Sequence, residues 1–221
     1  MELRAAIEGR RSIRKFKAKE IPREIIRDIL ETARWAPSWG NTQLWEFYVL
    51  TGKRLDEFRE ANHRSFVDGQ TFPLDVPMHE FWPERLKERY AEIGKIMLTA
   101  MNVKRDDKDA RHKLYENMTL LFGAPCLLVA CIPGDILVEY AMLDVGLILQ
   151  TICLLAYDKG IGTCIMAMSI RNPGLLRKIL SVPADRKIVM GIAMGYPEEN
   201  FPLNTFARKR ADISEYVKWV D

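Results

Sequence analysis

Two basic clusters near opposite ends of the chain carry the residues best suited to bind an anion. Guanidinium groups match phosphate oxygens with paired donors, and a serine hydroxyl adds a further donor. The N-terminal cluster contains Arg10, Arg11, Ser12, Arg14 and Lys15, and the C-terminal cluster contains Arg208, Lys209 and Arg210. The two clusters predict a phosphate site if they converge. Spacing alone does not show convergence, and solvated basic surface loops are the alternative.

Residues 37–45, with the sequence PSWGNTQLW, place short polar side chains on a predicted tight turn. Hydroxyl and amide groups there could bind a heteroaromatic ring that carries carbonyl groups and ring nitrogens. An ordinary connection between a helix and a strand is the alternative interpretation. The glycines of residues 160–168 are too few and wrongly spaced for a nucleotide-binding fingerprint, so that segment predicts only a buried strand leading into a loop.

Several common chemistries find no support in the sequence. His63, His79 and His112 lack the spacing of a zinc hydrolase, and no serine lies in a GxSxG motif, so no metal site is expected. The four cysteines form no CxxC pair and lie in apolar runs, which predicts buried free thiols in a reducing compartment. A net charge of +3 on 33 basic and 30 acidic residues, without aromatic residues among the clustered charges, argues against nucleic-acid binding.

Helices and strands must position the two basic clusters and the polar turn. Apolar residues recur at helical spacing after Pro22, a favoured first helical residue, and short apolar runs predict strands. The predicted strands are Trp45–Leu50, Cys126–Ile132, Ile161–Met166 and Lys187–Met194. The predicted helices begin near Leu3 and Pro22 and then cover 53–62, Glu84–Val103, Lys108–Phe122, Ile136–Tyr157 and Pro173–Leu180. We expect one α+β domain over residues 1–221, with residues 84–122 as an insertion.

The predicted helix Ile136–Tyr157 is apolar on nearly every face and must therefore be covered all round, for which a subunit interface is the favoured explanation. Its most apolar part contains Asp144 and Gln150 and is short for a membrane span. The first four residues lack the apolar core of a signal peptide. We expect a cytoplasmic protein without a membrane partner.

Taken in order, these segments resemble the FMN-dependent nitroreductase family. The resemblance covers nearly the whole chain and rests on RRSIRKF, APSWGNTQLWEFYVL, LDVGLILQTICLLAYDKGIGTCIM, MGYP and the terminal RKR. It implies a mixed β-sheet flanked by helices, in an intertwined homodimer. It also implies that the long helix lies at the centre of the interface and that FMN lies in clefts between the subunits.

The resemblance also assigns residues to the FMN site. The phosphate and ribityl chain are expected to contact Arg10, Arg11, Ser12, Arg14, Arg208 and Arg210. The other subunit is expected to contribute Pro37, Ser38, Trp39 and Asn41, with Gln43 near the pyrimidine edge. Backbone N–H groups near flavin N5 are expected from Ala167 and Met168. Many family members carry a glutamate at the position aligned with Ala167, and its absence here argues against a side chain that tunes that edge of the ring.

The activity implied is ping-pong hydride transfer from NAD(P)H through FMN to a small electron-poor acceptor such as a nitroaromatic, without a catalytic side chain. The 84–122 block resembles a subgroup that includes enzymes acting on nitrobenzoates. It is expected to form a lid whose Arg, Lys and Tyr residues select acidic aromatic acceptors, unless its helices only extend the dimer interface. The alternative functions are reductive dehalogenation or enone reduction on the same fold, a non-catalytic flavin-binding protein, and a basic nucleic-acid adaptor.

Overall fold

The computed structural model describes residues 1–78, 81–104 and 106–220. Four strands form one sheet in the order β1-β2-β4-β3, and every neighbouring pair is antiparallel. The strands are β1 Glu46–Thr51, β2 Cys126–Pro133, β3 Gly162–Ile165 and β4 Arg186–Gly195. Parallel pairing within the described residues is limited to a bridge between Ser12 and Thr163, so the mixed character of the sheet rests on that one contact.

Helices cover both faces of the sheet, as the α+β expectation requires. They are α1 Leu3–Gly9, α2 Arg23–Ala33, α3 Gly52–Val67, α4 Glu84–Ala100, α5 Lys108–Thr119, α6 Val138–Asp158, α7 Pro173–Leu180 and α8 Pro202–Thr205. Side chains of β2 alternate between the two cores. Cys126, Leu128 and Ala130 join the core with α2 and α6, while Leu127 and Val129 join the core with α3 and α7. A central strand buried on both faces explains why its sequence is continuously apolar.

Three predicted helix ends were wrong by three residues or more. Helix α4 ends at Ala100 rather than Val103, and Asn102 adopts a left-handed φ of 54°. Helix α3 continues to Val67 because Asn62 and Ser65 are buried on its inner face, where the Asn62 side-chain amide donates to the Thr119 carbonyl over 3.1 Å. Helix α5 ends at Thr119 rather than Phe122, because Leu121 and Phe122 both adopt φ of 55°, a left-handed conformation that no helix continues through.

Helix α6 buries one face and exposes another. Its buried residues include Asp144, Ile148 and Ile152, whereas Tyr140 and Leu143 are 60% and 62% exposed. Among the described residues, α6 is the one helix whose length and composition would suit a membrane span, but it packs against α2 and β3. A single chain therefore covers the apolar surface of α6 on one face and leaves the other face exposed.

Helix α4, in the expected insertion, packs differently from α5. None of its residues is fully buried, and its charged side chains contact the C-terminal segment: Lys209 Nζ lies 2.6 Å from Glu92 Oε1, and Arg89 pairs with Glu215. Helix α5 instead packs against α3. Within residues 84–122, α5 therefore packs on the core, whereas α4 contacts the C-terminal segment.

Candidate functional site

The N-terminal basic cluster lies along the edge of β3. Ser12 forms the parallel bridge to Thr163, and the Ile13 N–H donates to the Thr163 carbonyl over 2.9 Å. The close approach depends on Gly162, because a Cβ atom there would lie 2.6 Å from Ile13 Cγ1. The sheet edge therefore fixes the backbone from which the arginine side chains project.

The C-terminal cluster reaches the same loop. The Arg208 guanidinium donates to the backbone carbonyls of Glu8 and Arg10, and Arg11 Nη2 donates to the Phe206 carbonyl over 2.6 Å. The Arg11 guanidinium also lies 4.9 Å from the centre of the Phe206 ring. Residues almost 200 positions apart are thereby joined.

The buried side chain of Asn204, which the sequence did not indicate, hydrogen-bonds the backbone of the N-terminal basic loop. Asn204 accepts the Arg14 N–H at 2.6 Å through Oδ1. Its Nδ2 donates to the carbonyls of Lys15 and Glu198, each over 2.8 Å. Asn204 is 5% exposed and uses its acceptor and donors fully. No motif or spacing marks this asparagine in the sequence.

Both basic clusters line one cavity of about 170 Å³. Its lining comprises Arg10, Arg11, Ser12, Arg14, Ile93, Phe206, Arg208, Lys209 and Arg210. All six residues predicted to contact a phosphate are therefore together, and Ile93 brings α4 to the cavity wall. The convergence that spacing could not establish is present in the fold.

The cavity concentrates positive charge, and of its six basic residues only Lys209 pairs with a carboxylate of the described residues, that of Glu92. No lining residue is acidic, and none of its five arginines pairs with a carboxylate of the described residues. Burial lowers the pKa of Arg11, Arg14 and Arg208, and Arg208 also lowers the pKa of Arg11. Two buried donors, Nε of Arg10 and Nε of Arg11, have no hydrogen-bond partner.

These features fit the phosphate group of FMN. Buried unpaired donors and clustered like charges are costly unless an anion compensates them, and a phosphate supplies both charge and acceptor oxygens. A dianionic phosphate would compensate the burial of the guanidinium charges, which is the main cause of the lowered pKa values, and the repulsion that Arg208 adds at Arg11.

The polar turn predicted at residues 37–43 lies apart from this cavity in the chain. The Ser38 hydroxyl accepts the Gln43 N–H over 2.9 Å, and Gln43 Nε2 donates to the Asn41 carbonyl over 3.0 Å. Trp39 is 73% exposed and packs against Tyr140 of α6, with ring centres 5.5 Å apart and ring planes tilted by 30°. None of Pro37, Ser38, Trp39, Asn41 and Gln43 lines the arginine cavity.

Ala167 and Met168 begin the short 3₁₀ helix that follows β3. They lie beyond the end of β3, the strand that pairs with the N-terminal basic loop at Ser12. At strand spacing, Ala167 is roughly 13 Å from the Thr163 bridge. The turn is anchored behind them, since the Met166 N–H donates to the Gly191 carbonyl over 3.0 Å and the Ser169 hydroxyl to the Met166 carbonyl over 2.7 Å. Their N–H groups belong to a first helical turn, which leaves such donors without intrahelical acceptors.

A larger groove of about 920 Å³ lies elsewhere, between α2 and the free edge of β1, and includes Ile26, Val49 and Pro125. It contains none of the predicted site residues. The described parts of the chain hold no group of three or more His, Cys, Asp or Glu residues arranged for a metal ion. Of the histidines, His63 bonds Thr119, His112 stacks on Phe66, and His79 lies outside the described residues.

Comparison with known proteins places this geometry in a family. The nitroreductase family profile matches residues 7–196. The 4-nitrobenzoate reductases of Nocardioides sp. (strain LMS-CY) and Pseudomonas putida are 31% and 30% identical, covering 98% and 93% of this chain and 89% and 90% of their own lengths. The FMN-dependent nitroreductase NfnB from Mycobacterium smegmatis, solved with NADPH, is 30% identical over 99% of this chain and 97% of its own, with a TM-score of 0.92. On sequence, fold and the extent of the match, the chain belongs to the nitroreductase family.

Proposed function

We propose that this protein is an FMN-dependent NAD(P)H oxidoreductase that reduces small electron-poor acceptors such as nitroaromatics. The observation that carries the proposal is the arginine cavity, in which five guanidinium groups converge without a carboxylate. Relatives of similar length are named as nitroreductases and 4-nitrobenzoate reductases. One such relative was solved with NADPH.

Each predicted site residue has a role in the proposal. Arg10, Arg11, Ser12, Arg14, Arg208 and Arg210 bind the phosphate and the adjoining ribityl hydroxyl groups. The N–H groups of Ala167 and Met168, further along the β3 direction, hydrogen-bond the ring near N5. The ring is approached from the second subunit by Pro37, Ser38, Trp39, Asn41 and Gln43. This agrees with their absence from the lining of the arginine cavity of their own chain.

The chemistry supplied by bound FMN is acceptance of hydride from NAD(P)H and delivery of the electrons to the acceptor. The protein's part is to hold the ring, to exclude water and to offer one space to donor and acceptor in turn. No side chain is required as nucleophile or general acid. The cavity residues agree with this, since they are cationic or apolar apart from Ser12.

The proposed assembly is an intertwined homodimer. The exposed stripe of α6, with Leu143 and Leu147, forms an apolar surface beside the exposed Trp39. The C-terminal segment ends with Trp219 and Val220 almost fully exposed, while β1 leaves an unpaired edge next to the 920 Å³ groove. Exposed apolar surface of this extent is typical of protein interfaces. Pairing of α6 with its copy would cover the apolar stripe of α6. Exchange of C-terminal segments would cover Trp219, Val220 and the edge of β1.

The proposed acceptor class includes carboxylated nitroaromatics. Helix α4 contributes Ile93 to the wall of the cavity. Lys95 lies two residues further, on another face of α4, and no ion pair of the described residues includes it. A lysine ammonium near the acceptor would favour an anionic ring substituent. Lys95→Gln should raise KM for 4-nitrobenzoate more than for nitrobenzene, and equal effects on both would contradict this part of the proposal.

A spectroscopic titration tests the central proposal. Purified protein reconstituted with FMN should show flavin absorbance near one equivalent per chain, and anaerobic NADH or NADPH should bleach it. Addition of a nitroaromatic should then restore the absorbance. A protein that binds no FMN, or whose bound flavin NAD(P)H does not reduce, would refute the proposal. The four buried thiols fit a cytoplasmic location, which localisation of a tagged chain would test.

A further inference from the structure

A buried carboxylate on α6 has no place in the cofactor contacts described above. Asp144 is 2% exposed and is the only Asp, Glu, Lys or Arg among the buried side chains of the described residues. Its neighbours on the helix, including Val145 and Ile148, are apolar core residues. Burial of a carboxylate is costly unless it receives hydrogen bonds. A specific interaction must therefore account for its position.

The interaction is with the polar turn. The Trp39 N–H points between the two carboxylate oxygens of Asp144, and each lies 3.1 Å from the nitrogen. Tyr140, one helical turn before Asp144 on the same face of α6, packs against the Trp39 ring with ring centres 5.5 Å apart. One face of α6 thus holds both the backbone and the side chain of Trp39.

The turn needs such an anchor because its backbone is unusual. Gly40, Asn41 and Gln43 have φ of 57°, 56° and 48°. Glycine and asparagine tolerate this left-handed conformation, but it is unfavourable for Gln43. The other hydrogen bonds of residues 38–43 among the described residues join the turn to itself. Asp144 is therefore the hydrogen-bonding group that ties the turn to the rest of the fold.

We propose that Asp144 is a positioning residue for the flavin site: it fixes the 38–43 turn on α6 in the orientation that meets the cofactor. The proposal rests on the proposed function for its consequence, because the turn matters for FMN only if the turn approaches the ring. Asp144 itself touches neither flavin nor substrate. It acts through the Trp39 N–H, and the interface helix thereby carries part of the partner's binding site.

Two measurements on Asp144→Ala test the proposal. In protein without FMN, amide exchange of the peptide containing Trp39 should be at least about tenfold faster than in the wild type, as expected when an N–H loses a charged acceptor. FMN should bind about ten- to a hundred-fold more weakly. Asp144→Asn should restore much of both, because its side-chain oxygen can still accept the N–H.

Val145→Ala is the matched control, since it removes buried methyl groups from the adjacent position on α6. It should lower the unfolding midpoint without changing Trp39 exchange or FMN affinity beyond about twofold. Equal losses in Asp144→Ala and Val145→Ala, or unchanged exchange and affinity in Asp144→Ala, would overturn the inference. If the wild type binds no FMN, the proposed function fails, while the exchange measurement still decides whether Asp144 anchors the turn.

Discussion

Replacement of Arg14 by methionine should change cofactor affinity and stability in opposite directions. Arg14 is partly buried, and no ion pair of the described residues includes it. Its guanidinium makes one long hydrogen bond to those residues, 3.3 Å from Nη1 to the Ser12 carbonyl. Burial lowers its pKa, which means that the folded protein without an anion disfavours the charge. Methionine keeps a similar length and removes that charge.

The magnitudes follow from the contacts. A hydrogen bond between a guanidinium and a phosphate contributes about 1.5–3 kcal/mol, so FMN should bind roughly ten- to a hundred-fold more weakly to Arg14→Met. In the absence of FMN, loss of an uncompensated, partly buried charge should leave the free energy of unfolding unchanged or raise it by about 1 kcal/mol. For a chain of this size that corresponds to a rise in Tm of about 2–4 °C.

Thermal unfolding with and without FMN at fixed protein concentration measures both effects. FMN at a hundred times the wild-type Kd should stabilise the wild type by about 2.7 kcal/mol, and a variant with hundredfold weaker affinity by about 0.4 kcal/mol. Arg177→Met provides the control, because Arg177 contacts both oxygens of Asp75 at 3.2 and 2.7 Å. That variant should lose about 2 kcal/mol of stability and keep its FMN affinity.

The reasoning is refuted if Arg14→Met behaves like Arg177→Met. A fall of several degrees in Tm without FMN, together with unchanged affinity, would mean that the arginine cluster stabilises the fold and does not await an anion. Equal loss of FMN affinity in both variants would point to a general disturbance of the fold.

Three further predictions concern the supports of the site. Gly162→Ala should displace the arginine loop from β3, because its Cβ would lie 2.6 Å from Ile13, and should weaken FMN binding and cost about 1–3 kcal/mol in denaturant titrations. Burial raises the pKa of Cys126 to about 12, so only the unfolded chain ionises this thiol above about pH 9. Stability should therefore fall between about pH 9 and 12, and less steeply in Cys126→Ala than in the wild type; equal slopes would contradict the assignment. Leu143→Glu should convert the proposed dimer to a monomer in size-exclusion chromatography and lose FMN; an unchanged elution volume would argue against α6 as the interface.

Much of the fold was predictable because its signals are local. Pro173–Leu180 begins and ends where predicted, since Pro173 is a favoured first residue and Ser181 adopts a left-handed conformation after the last turn. The continuous apolar run at Cys126–Ile132 predicted a strand, and β2 confirms it, with side chains in both cores. The two arginine clusters were recognisable by composition, although their convergence depends on the whole topology.

Other features depend on contacts between distant residues and left no local signal. The buried Asn204 bonds the backbone of the N-terminal loop, and Asp144 bonds a turn 105 residues earlier. In sequence the first is one polar residue in a tail, and the second is an interruption in an apolar helix. The left-handed Leu121 and Phe122 ended α5 early because their side chains fill the core, an effect of packing that overrides helical propensity.

The joining of the two chain ends at one cavity has a consequence for biosynthesis. Arg208 contacts carbonyl groups 198 and 200 positions earlier. The N-terminal basic loop can therefore make these contacts only after almost the entire polypeptide has been synthesised. Closing so long a loop is entropically unfavourable until intervening elements have docked. A chain released before Arg208 has been synthesised would leave the backbone carbonyls of Glu8 and Arg10 without their guanidinium donor. Retention of FMN would consequently distinguish complete chains from prematurely terminated ones, and chains without FMN would be degraded by proteases.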